Sequence, residues 1–223
     1  MILIIPPQVR DLVRDRLRQM FVLRHDVCFE QWRWRFPNQN DEIDIDDFDT
    51  EETIYLVYVD TDRDDVIGCC RLNPTTSPYM VSELWSERCN LQPPPRDPSV
   101  WESSRFCISR NLSSKREYME IMWRMCAGVC EYCVAVGIKK IAWYTGPAFY
   151  QTINSLMPVE PLGTPYFDEK DQDTYIAGTG LVDEQAVLAA RRNLQNPNVQ
   201  LTYAVSPLAG RPDFDQFKKK EAA

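Results

Sequence analysis

The chain has 223 residues, of which 44% are hydrophobic and 26% charged, and its formal net charge at pH 7 is -8. This length and apolar content suffice for one domain with a buried core, the acidic balance argues against nucleic acid as a partner, and no apolar run is long enough to span a bilayer. The N-terminus lacks a basic, cleavable leader, so we predict a cytoplasmic protein whose eight cysteines are reduced thiols.

The first half of the chain predicts a strand, an amphipathic helix and a hairpin. Residues 1–5 are apolar and predict a strand, and residues 8–23 carry apolar side chains at helical spacing. The acidic stretch 41–49 is most simply a solvated surface turn. Residues 53–59 and 66–72 predict the two strands of a hairpin, followed by a short helix over 80–85. The single histidine, His25, has no second histidine with which to share a metal, so we predict a surface or ion-paired residue.

The second half alternates strands and helices. Strands are predicted over 100–108, 138–145, 174–182 and 199–205, and helices over 115–136, 147–156 and 183–194, the last with Asp183 as its N-terminal cap. No internal repeat or interdomain linker interrupts this order. We therefore expect one domain over residues 1–223, with a mobile tail from about residue 207.

Two predicted strands carry charges among apolar residues. Glu102 and Arg105 lie in the strand 100–108, and Arg71 lies near the end of the strand 66–72. One interpretation is an edge strand whose polar face meets water. The other is a functional one: a guanidinium holds a carboxylate with two hydrogen bonds, so two strands that each place an arginine this way indicate a shared anionic ligand.

These charged residues belong to a set of motifs spread over the first half of the chain. The set comprises Arg24, Trp34, Asp46-Asp47-Phe48-Asp49, Arg71-Leu72-Asn73-Pro74-Thr75-Thr76, Pro78-Tyr79-Met80 and Glu102-Ser103-Ser104-Arg105-Phe106. In this order and spacing the motifs resemble the acyl-homoserine lactone synthases, the LuxI-type autoinducer synthases of bacterial quorum sensing. Two positions depart from that pattern: Cys28 and Trp85 stand where phenylalanine is usual.

The resemblance implies a three-layer α/β/α sandwich with a mixed, largely antiparallel central sheet, similar to the GNAT acyltransferases. It also implies a reaction between S-adenosylmethionine and an acyl thioester. The amine attacks the acyl carbonyl, and the methionine carboxylate then displaces methylthioadenosine to close the lactone. S-adenosylmethionine is a substrate here, and neither a cofactor nor a metal is predicted.

Site residues follow from the same resemblance. Glu102 is the candidate base that deprotonates the amine, and Asp46 and Asp49 are candidate partners for the ammonium or sulfonium charge. The arginines hold the substrate carboxylate or brace these acids, and a buried salt-bridge network is the purely structural alternative. The predicted catalytic residues are Glu102, Arg105, Asp46 and Arg71. The predicted S-adenosylmethionine site is Arg24, Val27, Trp34, Asp46, Asp49, Arg71, Trp85, Ser104, Arg105 and Phe106.

The acyl group is expected between the central strand, the strand 138–145 and the helix that follows. The resemblance places Met122, Trp143, Thr145 and Phe149 in this pocket. A ring at position 143 favours a short, branched or aryl acyl group if it lines the pocket; the alternative is that it packs under a helix on the other face. The donor is acyl carrier protein or coenzyme A, both anionic, and Lys115, Arg116, Lys139 and Lys140 are a candidate basic patch for either.

Three other functions compete with this interpretation. Cys126, Cys130 and Cys133 have the C-x3-C-x2-C spacing of radical S-adenosylmethionine enzymes, but they lie in a helical apolar stripe and favour core thiols. A GNAT acyltransferase with another amine acceptor would carry a glycine-rich pyrophosphate loop, which the sequence lacks. A ligand-binding module without catalysis is the third alternative, and the presence of both Glu102 and Arg105 argues against it.

Overall fold

The computed structural model describes residues 1–32, 42–170 and 172–205. Its strands are β1 Ile2–Ile5, β2 Ile54–Asp60, β3 Asp65–Pro74, β4 Val100–Ile108, β5 Lys140–Thr145, β6 Val159–Pro161, β7 Tyr166–Asp168, β8 Asp173–Leu181 and β9 Thr202–Ala204. Its α-helices are α1 Arg14–His25, α2 Met80–Leu84, α3 Lys115–Val136, α4 Pro147–Leu156 and α5 Glu184–Arg191. Pro7–Val13 and Ser86–Arg88 are 3-10 helices, and Asp26–Gln31 is a π-helix.

The strands form one mixed sheet in the order β6-β8-β5-β4-β3-β2-β1-β9, with β7 paired to β8. The pairs β1–β9 and β4–β5 are parallel and the other pairs are antiparallel. This confirms the predicted largely antiparallel sheet. Because β4 lies between β3 and β5, and Glu102 and Arg105 are only 1% and 5% exposed, the interpretation of β4 as an edge strand whose charges meet water is wrong.

Helices cover both faces of the sheet and produce the three predicted layers. Leu17, Met20 and Leu23 of α1 pack with Leu3 and Val57 on one face. The opposite face packs against α3, α4 and α5. Alternate residues of β1 belong to the two cores, as expected for a strand buried on both sides.

The predicted helix over residues 8–23 is instead two segments, the 3-10 helix Pro7–Val13 and α1, and the π-helix Asp26–Gln31 continues directly from α1. The π-helix carries Val27, Cys28 and Phe29, three consecutive buried residues. A π-helix has a wider turn than the α-helix that precedes it. Sequence periodicity gives no sign of such a change in pitch. The short strands β6 and β7, three residues each, were also not predicted, because so few residues carry no detectable alternation.

The sheet splits between β4 and β5. Residues 100–102 pair with residues 140–142 in parallel, but β5 continues to Thr145 without β4 beside it. Beyond Glu102 the two strands therefore part, and a gap opens in the middle of the sheet. Within the described ranges, none of the helices has the length and apolar character needed to cross a bilayer.

Candidate active site

A bulge in β4 turns its polar residues toward one face of the gap. Arg105 has a φ of 52°, the left-handed region that costs energy for any residue with a Cβ. Arg71 pairs with Ser104 and Cys69 with Cys107, so β4 carries one more residue than β3 over this stretch. The extra residue breaks the strand's alternation.

A cleft of about 680 Å³ passes through the gap. Its polar half is lined by β4 residues such as Ser104 and Arg105 and by Trp32 at the end of the π-helix. Its apolar half lies against α3 and α4. The apolar lining includes Phe106, Met122, Cys126, Cys130, Ile141, Trp143, Phe149, Ile153, Leu156 and Met157.

Behind the polar half lies a network of ion pairs that we call the ionic cluster: Arg24, Arg71, Arg105, Asp44, Asp46 and Asp49. Arg24 donates from Nε to Asp44 Oδ2 at 2.9 Å and from Nη1 to Asp49 Oδ1 at 2.7 Å. Arg105 donates from Nε to Asp44 Oδ2 at 2.6 Å and from Nη2 to Asp46 Oδ2 at 2.8 Å. Arg71 contacts Asp46 and also donates from Nη2 to Met80 Sδ at 2.9 Å.

The ionic cluster contains three guanidiniums and three carboxylates, so its formal charges cancel. Burial raises the pKa of Asp49, but Arg24 and Arg71 outweigh burial and hold that pKa well below its usual range. Burial also opposes ionisation of Asp44, and the same kind of pairing with Arg24 and Arg105 lowers its pKa. The anion that the arginines hold is therefore the chain's own acidic loop. The interpretation of residues 41–49 as a solvated surface turn is wrong for Asp44 and Asp49, whose side chains are 3% exposed; Asp41 lies outside the described residues.

Glu102 stands apart from the ionic cluster. Its side chain accepts hydrogen bonds from the backbone N–H groups of Met80, at 3.2 Å, and Val81, at 2.8 Å, where α2 begins. Complete burial raises its pKa, and Arg71, these N–H groups and the Ser104 hydroxyl only partly offset that effect. Glu102 is thus a buried carboxyl with an enhanced tendency to hold a proton.

Comparison with known proteins gives this geometry a context. The autoinducer synthase family model matches residues 9–185. The chain belongs to the autoinducer synthase family. It is 34% identical over 161 residues to the isovaleryl-homoserine lactone synthase of Bradyrhizobium diazoefficiens, and the matched region covers 70% of this chain and 69% of that protein.

Solved structures agree with this assignment. The structure of a CoA-dependent acyl-homoserine lactone synthase, BjaI, with SAM and isopentyl-CoA superimposes with a TM-score of 0.82 at 27% identity, over 100% of this chain and 99% of that one. A putative N-acetyltransferase from Lactobacillus plantarum, 14% identical, has a TM-score of 0.50 over 82% of this chain and 99% of its own, which shows the fold alone. The predicted family, the GNAT-like fold and the acyltransferase activity of an acyl-homoserine lactone synthase are confirmed.

The structure of this autoinducer synthase brings most of the predicted site residues together. Arg24, Asp46, Asp49, Arg71 and Arg105 form the ionic cluster with Asp44. Ser104, Phe106, Met122, Trp143, Thr145 and Phe149 line the cleft. Trp143 therefore faces the cleft, and the alternative that it lies on the other side of the sheet is wrong.

Two predicted residues, Val27 and Trp85, lie elsewhere. Val27 is 1% exposed and packs in the core between α1 and the sheet. Trp85 stacks on Tyr144 with ring centroids 4.4 Å apart, and Tyr144 stacks in turn on Tyr175. Trp34 lies outside the described residues. His25, predicted at the surface or in an ion pair, is 7% exposed, and its Nδ1 is 3.9 Å from Asp26 Oδ1, so the surface interpretation is wrong.

Sequence reasoning missed several cleft residues of the synthase. Trp32, Tyr144 and Tyr175 line the polar side, and no local pattern distinguishes them from other aromatic residues. Cys126 and Cys130 follow Met122 at four-residue intervals on α3, so they are core thiols that also line the cleft. Burial raises the pKa of Cys130 to about 12 and that of Cys126 well above its ordinary value, which keeps both protonated.

The four basic residues predicted as one patch do not lie together. Lys115 and Arg116 begin α3, whereas Lys139 and Lys140 follow its end, and the helix of 22 residues is about 33 Å long. Lys140 also forms an ion pair with Glu160 at 2.6 Å. Lys115 and Arg116 are within three residues of Tyr118, which lines the cleft, so they are the pair nearer to it along the helix.

Proposed function

We propose that this synthase transfers a compact acyl group from coenzyme A to the amine of S-adenosylmethionine, with Glu102 as the base. The observation that carries the proposal is the cleft through the sheet, which has polar residues at one face, with the buried carboxyl of Glu102 behind Ser104, and an apolar wall at the other. The two substrates differ in the same way, because S-adenosylmethionine is polar and charged whereas an acyl chain is apolar. The gap between β4 and β5 is where the amine and the acyl carbonyl would meet.

Glu102 is suited to receive the proton that the amine must lose. A carboxyl whose pKa burial has raised is a stronger base than an exposed one. Ser104 lines the cleft, and its hydroxyl stabilises the ionised form of Glu102, so it connects the base with the cleft. The nitrogen lone pair forms the amide bond, the thiolate of coenzyme A leaves, and the proton passes toward Glu102, directly or through Ser104 or a water.

The ionic cluster would position the substrate rather than react with it. Arg24 is completely buried and saturated by Asp44 and Asp49, so it braces the acidic loop. Asp46 is the most exposed acid of the cluster, at 22%, and is our candidate partner for the substrate's positive charge. In the second step the methionine carboxylate attacks the carbon next to the sulfonium. The carbon–sulfur bond breaks, its electron pair neutralises the sulfur, and methylthioadenosine leaves as the lactone closes.

The apolar half of the cleft favours a compact acyl group. Phe106 and Phe149 meet with ring centroids 4.7 Å apart, and Trp143 lies on the same side of the sheet. Three rings in this half leave room for a short branched or aryl chain. The comparisons support both parts of the proposal, since a relative is named for an isovaleryl product and a similar solved structure contains isopentyl-CoA. A cytoplasmic site of action accords with eight free thiols.

Mass spectrometry of the purified protein tests the proposal. The protein is incubated with S-adenosylmethionine and a panel of acyl-CoA and acyl-carrier-protein thioesters of the same acyl groups. We expect methylthioadenosine and one N-acyl-homoserine lactone, formed fastest from a short branched or aryl acyl-CoA. Faster turnover of the carrier-protein thioester would refute the choice of donor, and a preference for long straight chains would refute the compact pocket.

The role of Glu102 needs a matched pair of variants. Glu102→Gln removes the base and keeps one side-chain oxygen, which can accept from the N–H of either Met80 or Val81. We expect a folded protein that releases methylthioadenosine at least a hundredfold more slowly. Glu83→Gln, on the exposed side of the same helix, is the control and should keep full activity. Full activity in Glu102→Gln would remove Glu102 from the mechanism.

A further inference from the structure

The indole nitrogen of Trp143 is a buried hydrogen-bond donor without an acceptor. Trp143 is 3% exposed, and its Nε1 has no hydrogen-bond partner among residues 1–32, 42–170 and 172–205. Buried indole N–H groups usually find a partner, because an unsatisfied donor away from water is costly. Since Trp143 lines the cleft, an acceptor for this N–H has a place to come from: the molecule that fills the cleft.

Two glycines of β8 determine where this ring lies. Trp143 pairs with Gly178 across β5 and β8. A Cβ at Gly178 would come within 3.1 Å of Trp143 Cζ2, and one at Gly180 within 2.9 Å of Cη2. The six-membered ring therefore lies across β8, in space that any other residue at these two positions would occupy. It leans away from β4 and hence away from the gap where the acyl carbonyl reacts.

We propose that Trp143 is a specificity-determining residue whose indole N–H donates a hydrogen bond to an oxygen that the acyl group carries beyond its reacting carbonyl. This rests on the proposed function, since it assigns the apolar half of the cleft to the acyl group. The substrate class is then a compact acyl thioester with an acceptor oxygen, either a hydroxyl or oxo group on a short chain or a hydroxyl on an aromatic ring. The purely hydrocarbon analogue would fit the same space and leave the N–H unpaired.

Paired donors test the proposal with the full-length protein. The pairs are butanoyl-CoA with 3-hydroxybutanoyl-CoA, and cinnamoyl-CoA with 4-hydroxycinnamoyl-CoA, each assayed for kcat/KM from methylthioadenosine release. Wild type should prefer the oxygenated member of at least one pair. Trp143→Phe, which keeps a ring and removes the N–H, should lower that preference about threefold to tenfold, the effect of one hydrogen bond. The donor pair whose preference falls in Trp143→Phe shows whether the oxygen lies on a short chain or on an aromatic ring.

Two further variants separate the hydrogen bond from a change of shape. Trp123 packs on the same core outside the cleft lining, so Trp123→Phe should leave the preference unchanged. A site-specific replacement of Trp143 by its benzothiophene analogue exchanges the N–H for sulfur with the ring shape kept, and should reproduce the loss. Equal rates for both members of each pair in wild type, or equal slowing of both members in Trp143→Phe, would overturn the proposal. Absence of methylthioadenosine with every donor would refute the proposed function itself, and the proposal with it.

Discussion

Replacement of Asp49 by asparagine removes one charge from the ionic cluster and measures how much that cluster contributes to stability. Asp49 is 3% exposed in its side chain and accepts from Arg24 Nη1 at 2.7 Å, Arg24 Nη2 at 2.9 Å and the Tyr55 hydroxyl at 2.9 Å. Asparagine keeps the size but presents an amide N–H₂ to these donors and leaves the guanidiniums in excess of the carboxylates. Breaking a buried ion pair from one side costs about 3–5 kcal/mol.

Urea denaturation is the assay. For a chain of this size an m-value of about 2–3 kcal/mol/M converts that loss into a midpoint lower by about 1–2.5 M. Asp11→Asn is the matched control, because Asp11 and its partner Arg14 have side chains 83% and 75% exposed and water screens their interaction. A midpoint for Asp49→Asn equal to that of the control would refute the claim that the cluster stabilises the fold.

The pH dependence of the same variant gives an independent check. The pKa of Asp49 is lower in the folded chain than its ordinary value of 3.8, so the unfolded chain binds the proton first as pH falls. The stability that Asp49 contributes is therefore fully present above about pH 4 and is lost as pH falls toward the folded pKa. The difference in unfolding free energy between wild type and Asp49→Asn should narrow below pH 4. A difference that stays constant from pH 7 to pH 3 would contradict this origin.

Three further outcomes are expected. The pKa of Glu102 is raised in the folded chain, so the stability that Glu102 contributes is lost as pH rises through that pKa. The melting temperature of Glu102→Gln should therefore rise relative to that of wild type between pH 5 and pH 8. A difference in melting temperature that stays constant over this range would contradict the raised pKa. In Gly180→Ala the added carbon would lie 2.5 Å from the sulfur of Met157 and 2.9 Å from the ring of Trp143, so one of these side chains should move into the cleft. The preferred acyl-CoA should then have a shorter chain. An unchanged acyl preference would contradict this. In the native protein, iodoacetamide should modify Cys89, the one half-buried cysteine of eight, before the seven buried thiols, as peptide mass spectrometry would show; simultaneous modification would contradict the described burial.

Elements with local signals could be predicted from the sequence. The helix α3 begins and ends at the predicted residues because both ends carry their own signal. The Ser114 hydroxyl accepts from the N–H of Glu117, and Gly137 ends the helix with a φ of 83°. Asp183, predicted as the cap of α5, accepts from the N–H of Ala186. Such interactions span three or four residues and are visible in the printed order.

The site geometry depends on contacts between distant residues, which the sequence does not display. The acidic loop looked solvated because its partners, Arg24 on α1 and Arg105 on β4, are 20 and 61 residues away from Asp44. The left-handed turn at Arg105 has no local signal either, since glycine or asparagine is the usual residue for that conformation. The position of the Trp143 ring depends on Gly178, which is adjacent to it only across the sheet.

The extra residue in β4 also affects how sequences of this kind should be aligned. A regular strand keeps one parity from end to end, so every second residue shares a face. In β4 the parity changes at Arg105: Trp101 and Ile108 both pack on the α3 side, although seven positions, an odd number, separate them. Deletion of the extra residue would restore a regular alternation and leave Trp101 and Ile108 on the same face, whereas a deletion elsewhere in the strand would turn every side chain on one side of it to the opposite face. A relative that lacks the bulge should therefore be aligned with its gap at positions 104–105, and a gap placed elsewhere in β4 would exchange cleft residues for core residues.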